Sequence, residues 1–320
     1  MIFEKLCIEA FDERNISKDI QEMNDHIKSL LVNAPPSHEI PFEVLQDIRR
    51  KGGGLIESQP YSEKAENRQI NHGNQKVMVR IFNHDNPDFV YLHIHGGGHC
   101  IGAADMQDQS LEKISNDLNC VVVSVEYRLA PTNPYPAAPD DCEAVAIWLI
   151  ENSQNQFNSK KIVIGGESAG ANLSAVTLQR LKSKGLLGNV KGANLIYGSY
   201  DARLTPSTVR HQGSDEIFLL SYEMIRKFRD SYFQGTLDLS LPDISPIQAD
   251  LSGMPPALFT VGTRDLLLDD SLFMYGRWLS YSANAEIIIV PGADHAFNAF
   301  PSDTTTQVEN KIYEFIKSVI

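Results

Sequence analysis

The stretch Ile164-Gly-Gly-Glu-Ser-Ala-Gly170, roughly halfway along the chain, matches the pattern G-x-S-x-G around Ser168. Residues 161–164 form a short apolar, β-branched run, which is typical of a buried strand. Residues 169–184 carry apolar side chains at helical spacing. A strand that runs directly into a helix with a serine at the turn predicts a nucleophile elbow. Glycines, which have no Cβ, let such a turn tighten until the serine oxygen projects from the sheet.

A second motif, His95-Gly96-Gly97-Gly98, directly follows a predicted strand at 89–94. Three consecutive glycines leave the backbone free to turn its N–H groups toward a ligand, and the motif is that of the oxyanion loop in lipases and esterases. G-x-S-x-G alone should occur by chance in roughly one chain in ten of this length, whereas H-G-G-G should occur in well under about 1%. The alternative to a nucleophile elbow is a small-residue turn between strand and helix, and the alternative to an oxyanion loop is a flexible glycine loop. The two motifs together favour catalysis.

A catalytic serine needs a base, and a histidine base needs an acid to orient it. Among nine histidines, His295 stands out because it lies just past a predicted strand at 286–290. Asp265 similarly follows a predicted strand at 257–261. The resulting chain order, Ser168 then Asp265 then His295, is the order that α/β-hydrolase folds use. We therefore predict these three residues as the catalytic triad.

Other aspartates near these positions are less suitable as the triad acid. Asp294 is a poor choice as the triad acid, because a sequence neighbour cannot readily fold back on the outer imidazole nitrogen of His295. Asp269 and Asp270 are expected to cap the helix that follows them.

On these residues the chain resembles the hormone-sensitive-lipase-like family of α/β-hydrolase esterases, over about residues 75–320. The segment 126–131 (Glu-Tyr-Arg-Leu-Ala-Pro) and the sequence His-Ala-Phe at 295–297 extend the resemblance. It implies that the oxyanion hole is formed by the N–H groups of Gly97, Gly98 and Ala169, where the last also lies at the positive end of a helix. It further implies supporting roles in the two motifs for His95, Gly96, Gly166, Glu167 and Gly170.

Several positions depart from the commonest family pattern. Glu126 and Glu167 each replace an aspartate, Thr132 replaces a glutamate, and Leu266 replaces a proline after the acid. None of these changes removes a catalytic group. His99 follows the glycines where relatives usually carry an aromatic or apolar residue, so it could form a polar edge of the acyl pocket. A solvated or core histidine is the alternative.

The alternation of predicted strands and helices from residue 75 onward indicates an α/β fold with a mainly parallel sheet covered on both faces. The predicted fold is the α/β-hydrolase fold, with a catalytic domain at 53–320. Residues 1–52 are intermittently apolar and predicted to be helical. The alternation also breaks at about 200–245. We expect these two segments to form a helical cap over the sheet.

The chain has 320 residues, 42% of them hydrophobic, and a formal net charge of −13. The acidic charge argues against nucleic acid or an anionic membrane surface as a partner, because both require clustered Lys and Arg. Four dispersed cysteines without a C-x-x-C pair indicate reduced thiols. Neither an apolar leader nor a membrane span is evident, so we expect a cytoplasmic protein.

The sequence thus predicts a carboxylic ester hydrolase acting on short-to-medium acyl esters, with small-molecule substrates, no cofactor and a possible homo-oligomeric state. Amides or carbamates are alternative substrates, and a non-catalytic binding protein on the same fold is an alternative function. A metal hydrolase using His93, His95 and His99 is a further alternative. It leaves the elbow unexplained, so we predict no metal site.

Overall fold

A single sheet of eight strands forms the centre of the computed structural model, which describes residues 1–56, 58–235, 237–282 and 284–320. The strand order is β1-β2-β4-β3-β5-β6-β7-β8. The pairs β1–β2 and β2–β4 are antiparallel, and the other pairs are parallel. The strands are β1 (Ala65–His72), β2 (Gln75–Phe82), β3 (Phe89–Ile94), β4 (Cys120–Glu126), β5 (Ile162–Glu167), β6 (Val190–Ile196), β7 (Ala257–Gly262) and β8 (Ala285–Val290).

The central strands form because their side chains are apolar on both faces. Every residue of β3 and β7 is buried, as expected for parallel strands covered by helices on each side. In β4, Val121 and Val123 belong to one buried apolar cluster while Cys120 and Val122 belong to another. The two clusters therefore occupy opposite faces of the sheet, and the predicted α/β-hydrolase architecture with a mainly parallel sheet is confirmed.

Strand β1 was not predicted from the sequence. Its residues are mostly polar, and Ile70 alone among them is fully buried. It can nevertheless extend the sheet because it lies at the edge and pairs with β2 only. An edge strand needs backbone hydrogen bonds more than apolar side chains, so it leaves little trace in a hydrophobic pattern.

Helices flank the sheet and mostly match the predicted segments. The predicted helix at 139–152 extends to 137–157, and the helical segment predicted around 6–11 contains a 3₁₀ turn at Ile8–Phe11. The helices are α1 (Lys18–Leu31), α2 (Phe42–Arg50), α3 (Asp108–Asp117), α4 (Ala137–Phe157), α5 (Ala169–Ser183), α6 (Pro206–Val209), α7 (Tyr222–Tyr232), α8 (Leu268–Ser282) and α9 (Asp303–Val319).

Within the described residues, we find no helix that combines the length and the apolar character needed to cross a bilayer.

The N-terminal segment contacts the sheet domain at several points. Phe3 exchanges two backbone hydrogen bonds with Ile289 of β8, and the Asp19 carboxylate of α1 accepts from the N–H and hydroxyl of Thr304 on α9. The Gln46 amide of α2 bonds the backbone of Gly102 in both directions. Residues 1–52 therefore lie against the domain, and their role as part of a cap stays a prediction. Within the predicted insertion at 200–245, Thr236 lies outside the described residues.

Candidate active site

Ser168 occupies a strained turn between β5 and α5. Its backbone has φ 56° and ψ −119°, a conformation that side-chain-bearing residues adopt only when their surroundings enforce it. A Cβ added at Gly166 or Gly170 would lie 2.1 Å or 1.9 Å from the carbonyl oxygen of Ile94 on β3. Glycine is therefore required on both sides of the serine, as the G-x-S-x-G pattern predicts.

The structure brings Ser168, His295 and Asp265 together although they are far apart in the chain. His295 Nε2 lies 2.9 Å from Ser168 Oγ, and His295 Nδ1 lies 2.7 Å from Asp265 Oδ2. Both contacts are within hydrogen-bond range, and the acid and the histidine are buried. The chain order and the geometry match the arrangement of a nucleophile, a base and an orienting acid.

The acid is itself held in place. Asp265 Oδ1 accepts a 2.8 Å hydrogen bond from the N–H of Leu267, which leaves Oδ2 directed at the imidazole. Asp294 is turned away from the ring, because its two oxygens accept from the backbone N–H groups of His295 and Leu219 at 2.7 Å and 3.1 Å. Burial raises the pKa of Asp294 to about 6. Asp294 therefore bonds backbone N–H groups, and Asp265 is the carboxylate that contacts the His295 imidazole.

Tyr197, which the sequence analysis did not identify, packs against the histidine. Its ring meets the His295 imidazole edge-on with 4.6 Å between ring centres, and its hydroxyl donates a hydrogen bond to the Asn298 side chain. Tyr197 follows directly after β6, at the carboxyl edge of the sheet where sites of this fold class lie. That position is the one signal in the sequence that could have identified it.

The glycine loop after β3 lies next to the elbow, because a Cβ added at Gly96 would lie 3.3 Å from Ser168 Cβ. Gly97 and Gly98 have φ of 119° and 59°, and a Cβ on Gly98 would lie 2.2 Å from the Phe228 ring. Among the described residues, no acceptor bonds the N–H groups of Gly97, Gly98 or Ala169. Gly98 and Ala169 line the same pocket as Ser168, so an oxyanion hole formed by the three N–H groups stays a prediction.

The partly buried Glu167 side chain links the elbow to this loop. Its Oε1 accepts from the N–H of Gly96 and the amide of Gln107, each at 2.6 Å, and its Oε2 lies 3.2 Å from His93 Nε2. Burial opposes ionisation, but these hydrogen bonds and the neighbouring His93 outweigh it and lower the pKa of Glu167. Glu167 therefore carries a carboxylate that binds three groups at once. Gln107 was not identified from the sequence.

The three histidines of the alternative metal site hold separate positions. His93 lies between Ser124, at 2.9 Å, and Glu167. His95 donates from Nδ1 to the Gly96 carbonyl at 2.8 Å and stacks on a tyrosine ring, and burial lowers its pKa to about 4. His99 stacks on another tyrosine. In the part of the chain that the structure describes, no three metal-binding side chains converge.

A pocket of about 590 Å³, partly open to solvent, begins at Ser168 and Ala169. His99 lies in its wall, where the sequence analysis placed it as a possible edge of the acyl pocket. The other walls are largely apolar and come mainly from the predicted insertion: Leu204, Leu220, Ile225, Phe228, Phe233 and Ile244.

The expectation that Asp269 and Asp270 cap their own helix differs from the structure. Asp270 is buried in the first turn of α8 and accepts from the N–H groups of Tyr200 and Asp201 at 2.6 Å and 2.9 Å. Asp269 accepts from the N–H of Ser207 at 2.7 Å, in the first turn of α6. Both carboxylates therefore hold the segment that follows β6. The fold places them next to backbone N–H groups of Tyr200, Asp201 and Ser207.

Residues 91–299 match the model of a protein family described by the alpha/beta hydrolase fold. The chain is 34% identical over 181 residues to the carboxylic ester hydrolase LipN of Mycobacterium tuberculosis. That match covers 55% of this chain and 48% of LipN, so it spans about half the length of the curated relative.

Solved structures of other esterases are similar to this chain over a larger part of its length. A hyperthermophilic esterase from the archaeon Pyrobaculum calidifontis is 26% identical, with a TM-score of 0.83, covering 95% of this chain and 98% of the other. EstE1, a thermostable carboxylesterase cloned from a metagenomic library, is also 26% identical, with a TM-score of 0.79 and coverage of 88% and 99%. Both structures therefore share the overall fold of this chain over most of its length.

Proposed function

The chain belongs to the hormone-sensitive-lipase-like family of esterases with the α/β-hydrolase fold, and from this premise we propose that it is a serine carboxylesterase. The proposed reaction is the hydrolysis of short-to-medium acyl esters of small molecules through a covalent acyl-enzyme. The observation that carries the proposal is the pair of contacts at His295, 2.9 Å to Ser168 Oγ and 2.7 Å to Asp265 Oδ2.

In the first half of the reaction, Ser168 Oγ attacks the ester carbonyl carbon while its proton passes to His295 Nε2. Asp265 keeps the ring oriented and stabilises the imidazolium that forms. When the tetrahedral intermediate collapses, the bond from carbon to the alcohol oxygen breaks, and the proton on Nε2 passes to that oxygen. The alcohol departs and the acyl group stays on Ser168.

In the second half, water attacks the acyl carbon and gives a proton to His295 Nε2. The bond from carbon to Ser168 Oγ then breaks, the same proton returns to Oγ, and the carboxylic acid leaves. The negative oxygen of each tetrahedral intermediate would be bound by the N–H groups of Gly97, Gly98 and Ala169. Each donor of this kind typically contributes ~3 kcal/mol to lowering the barrier. The reaction needs no group beyond these side chains, backbone amides and water.

We also propose that residues 1–52 and the segment at about 200–245 form a cap over the site. The two segments meet where the Phe42 and Phe228 rings stack, with 5.6 Å between their centres and 8° between their planes. Lys227 adds a contact, because its ammonium lies 4.5 Å from the centre of the Phe42 ring and bonds the Ile40 carbonyl. Phe228 also lines the pocket, so the cap would shape the acyl site.

The proposal is tested by intact-mass analysis after exposure to paraoxon. The parent protein is expected to gain one diethylphosphoryl group, and Ser168→Ala is expected to gain none. Ser199→Ala is the matched control, because this serine lines the same pocket and its variant should still be labelled. A series of p-nitrophenyl esters from acetate to decanoate then defines the acyl range, and amide and carbamate analogues test the alternative substrates.

A folded parent protein that forms no adduct and cleaves none of these esters would contradict the proposal. In that case a non-catalytic binding protein on the same fold becomes the better explanation.

A further inference from the structure

The loops that follow β7 and β8 carry the proposed triad acid and base, and they are bonded directly to each other. The N–H of Arg264 donates to the Ala293 carbonyl at 3.1 Å, and the N–H of Thr263 donates to the Val290 carbonyl at 3.0 Å. Arg264 directly precedes the acid in the chain, and Asp294 directly precedes the base. The side chains of these two residues therefore project from the same pair of loops that hold the triad.

The Arg264 side chain binds a short part of the predicted insertion, residues 216–219. Its guanidinium donates to Oε1 of Glu216 and to the carbonyl of Ile217, each at 2.7 Å. It also lies 4.7 Å from the centre of the Phe218 ring, which is within range of a cation–π contact. One side chain therefore binds three successive residues of the segment, through an ion pair, a backbone acceptor and an aromatic face.

Asp294 extends the same set of contacts to the fourth residue of the segment. Its Oδ2 accepts a 3.1 Å hydrogen bond from the N–H of Leu219 and lies 3.8 Å from Arg264 Nε. Its Oδ1 accepts from the N–H of His295 at 2.7 Å. One buried carboxylate thus joins the backbone of the proposed base to the backbone of the insertion.

The segment depends on these contacts because it has no regular structure of its own. Residues 215–220 make no backbone–backbone hydrogen bond with any residue that the structure describes. A segment of this kind takes its position from the side chains that bind it. Leu220 is buried and lines the pocket beside Ser168, and helix α7 then adds Ile225 and Phe228 to the same wall. The position of the segment therefore determines where this wall lies relative to the serine.

The anchor affects the position of the segment more than the stability of the whole protein. The side chains of Arg264 and Glu216 are partly exposed, at 31% and 46%. Ion pairs at such exposure contribute little to the free energy of unfolding. Removing the guanidinium should therefore leave the fold intact while it releases residues 216–219.

We propose that Arg264 and Asp294 are positioning residues that hold residues 216–219 against the triad loops. Through this anchor they fix the acyl-pocket wall at Leu220. This inference rests on the proposed esterase function. The contact between an acyl chain and an apolar wall grows with each methylene that it buries, so a fixed wall favours longer acyl chains over acetyl. When the anchor is lost, the wall keeps its atoms but not its fixed position, and longer chains bind less tightly.

The test compares the steady-state kinetics of p-nitrophenyl hexanoate and p-nitrophenyl acetate in the parent protein and in Arg264→Met. Methionine keeps an unbranched apolar stem but removes the ion pair and the bond to the Ile217 carbonyl. We expect the hexanoate-to-acetate ratio of kcat/KM to fall about tenfold, mainly through a higher KM for hexanoate. Arg264→Lys retains a cation that can reach an acceptor of the segment, so it should recover part of the ratio.

Amide hydrogen exchange follows the segment independently of activity. The peptide that contains residues 216–219 should exchange faster in Arg264→Met than in the parent protein. It should also exchange faster in Asp294→Ala, where the N–H of Leu219 loses its acceptor. Faster exchange in both variants would show that the two side chains hold the same segment.

Arg68→Met is the matched control, because the contacts of Arg68 resemble those of Arg264. Arg68 bonds Glu66 at 2.9 Å, lies 5.9 Å from the centre of an aromatic ring and has a side chain that is 30% exposed. It belongs to β1, at the opposite end of the sheet from β7 and β8. The variant should change neither the ratio nor the exchange of residues 216–219. Paraoxon labelling of Ser168 verifies that each variant is folded around an active serine.

An unchanged ratio in Arg264→Met, or unchanged exchange of the segment, would overturn the inference. A fall carried by kcat alone would overturn it too, because that result would show Arg264 acting on the acid beside it. A fall of similar size in Arg68→Met would do the same, because it would be a general effect of losing a positive charge. In all these cases a paraoxon adduct on the parent protein leaves the esterase proposal intact. Loss of both the adduct and hydrolysis in the parent protein would instead overturn the proposed function.

Discussion

The backbone N–H of Gly96 donates a 2.6 Å hydrogen bond to Oε1 of Glu167, the residue next to the proposed nucleophile. This bond joins the glycine loop after β3 to the elbow after β5. The relative position of these two segments determines the geometry of the proposed oxyanion hole. The same oxygen accepts from Gln107 at the start of α3, and the other oxygen meets His93. One partly buried carboxylate therefore contacts three groups close to Ser168.

Glu167→Gln should impair turnover more than substrate binding. An amide NH₂ cannot accept a hydrogen bond, so one of the donors now bound by the carboxylate loses its partner and the glycine loop shifts. Small displacements of catalytic donors are costly, and we expect kcat to fall about 10- to 100-fold with a KM change of less than about threefold. Steady-state kinetics on p-nitrophenyl butyrate measure both constants. Glu167→Asp retains the charge and should lose less activity, so equal kcat in the Gln variant and the parent would refute this role.

Tyr197 should act through its ring more than through its hydroxyl. The ring packs edge-on against His295 and limits its rotation, while the hydroxyl bonds Asn298 away from the imidazole. We expect Tyr197→Leu to lower kcat about tenfold or more, and Tyr197→Phe to stay within about threefold of the parent. A fall of similar size in both variants would contradict this assignment.

The stacked pair Phe42 and Phe228 should set the upper limit of acyl chain length. Phe228 lines the pocket, and Phe42 supports it from α2. Phe42→Ala removes that support, and we expect the optimum among p-nitrophenyl esters to move toward longer chains. Stability should also fall by about 3 kcal/mol, as is usual for truncation of a buried aromatic residue. Val44→Ala, at a 43% exposed position on the same helix, should change neither property.

The sheet could be predicted from the sequence wherever burial is two-sided. Strands such as β3 and β7 are buried at every residue and therefore appear as continuous apolar runs. The edge strand β1 contains a single fully buried residue, Ile70, and its backbone pairing leaves no hydrophobic pattern. The 3₁₀ turn at Ile8–Phe11 is another example, since Ala10 alone among its residues is buried while Ile8 and Phe11 are exposed.

The candidate triad could be predicted because each residue follows a strand, and the carboxyl ends of parallel strands meet at one edge of the sheet. The contacts that support the triad and the glycine loop could not be predicted, because they depend on side chains that meet only after folding. Gln107 lies 60 residues from Glu167, and Tyr197 lies 101 residues from Asn298. Asp270 is a further example. Its sequence position predicted a helix cap, whereas in the folded protein its carboxylate accepts from the N–H groups of Tyr200 and Asp201.

Asp270 should make the stability of the protein fall as pH rises from about 4 to about 7. Burial raises its pKa to about 7, although hydrogen bonds from Thr205 and the Tyr200–Asp201 backbone partly oppose the shift. Below pH 4 the carboxyl is protonated in both states. Between pH 4 and 7 the unfolded chain ionises while the folded protein retains the proton, so the free energy of unfolding decreases, and above pH 7 this contribution is constant.

Replacing the carboxyl should remove this pH dependence. The difference in unfolding free energy between the parent and Asp270→Asn should decrease by about 2–4 kcal/mol between pH 4 and pH 8. Asp294, whose pKa burial raises to about 6, is present in both proteins and cancels in the difference. Urea unfolding at several pH values measures it, with the exposed Asp25→Asn as the control. A difference that stays constant across this range would mean that Asp270 is ionised throughout, stabilised by its three donors despite its burial.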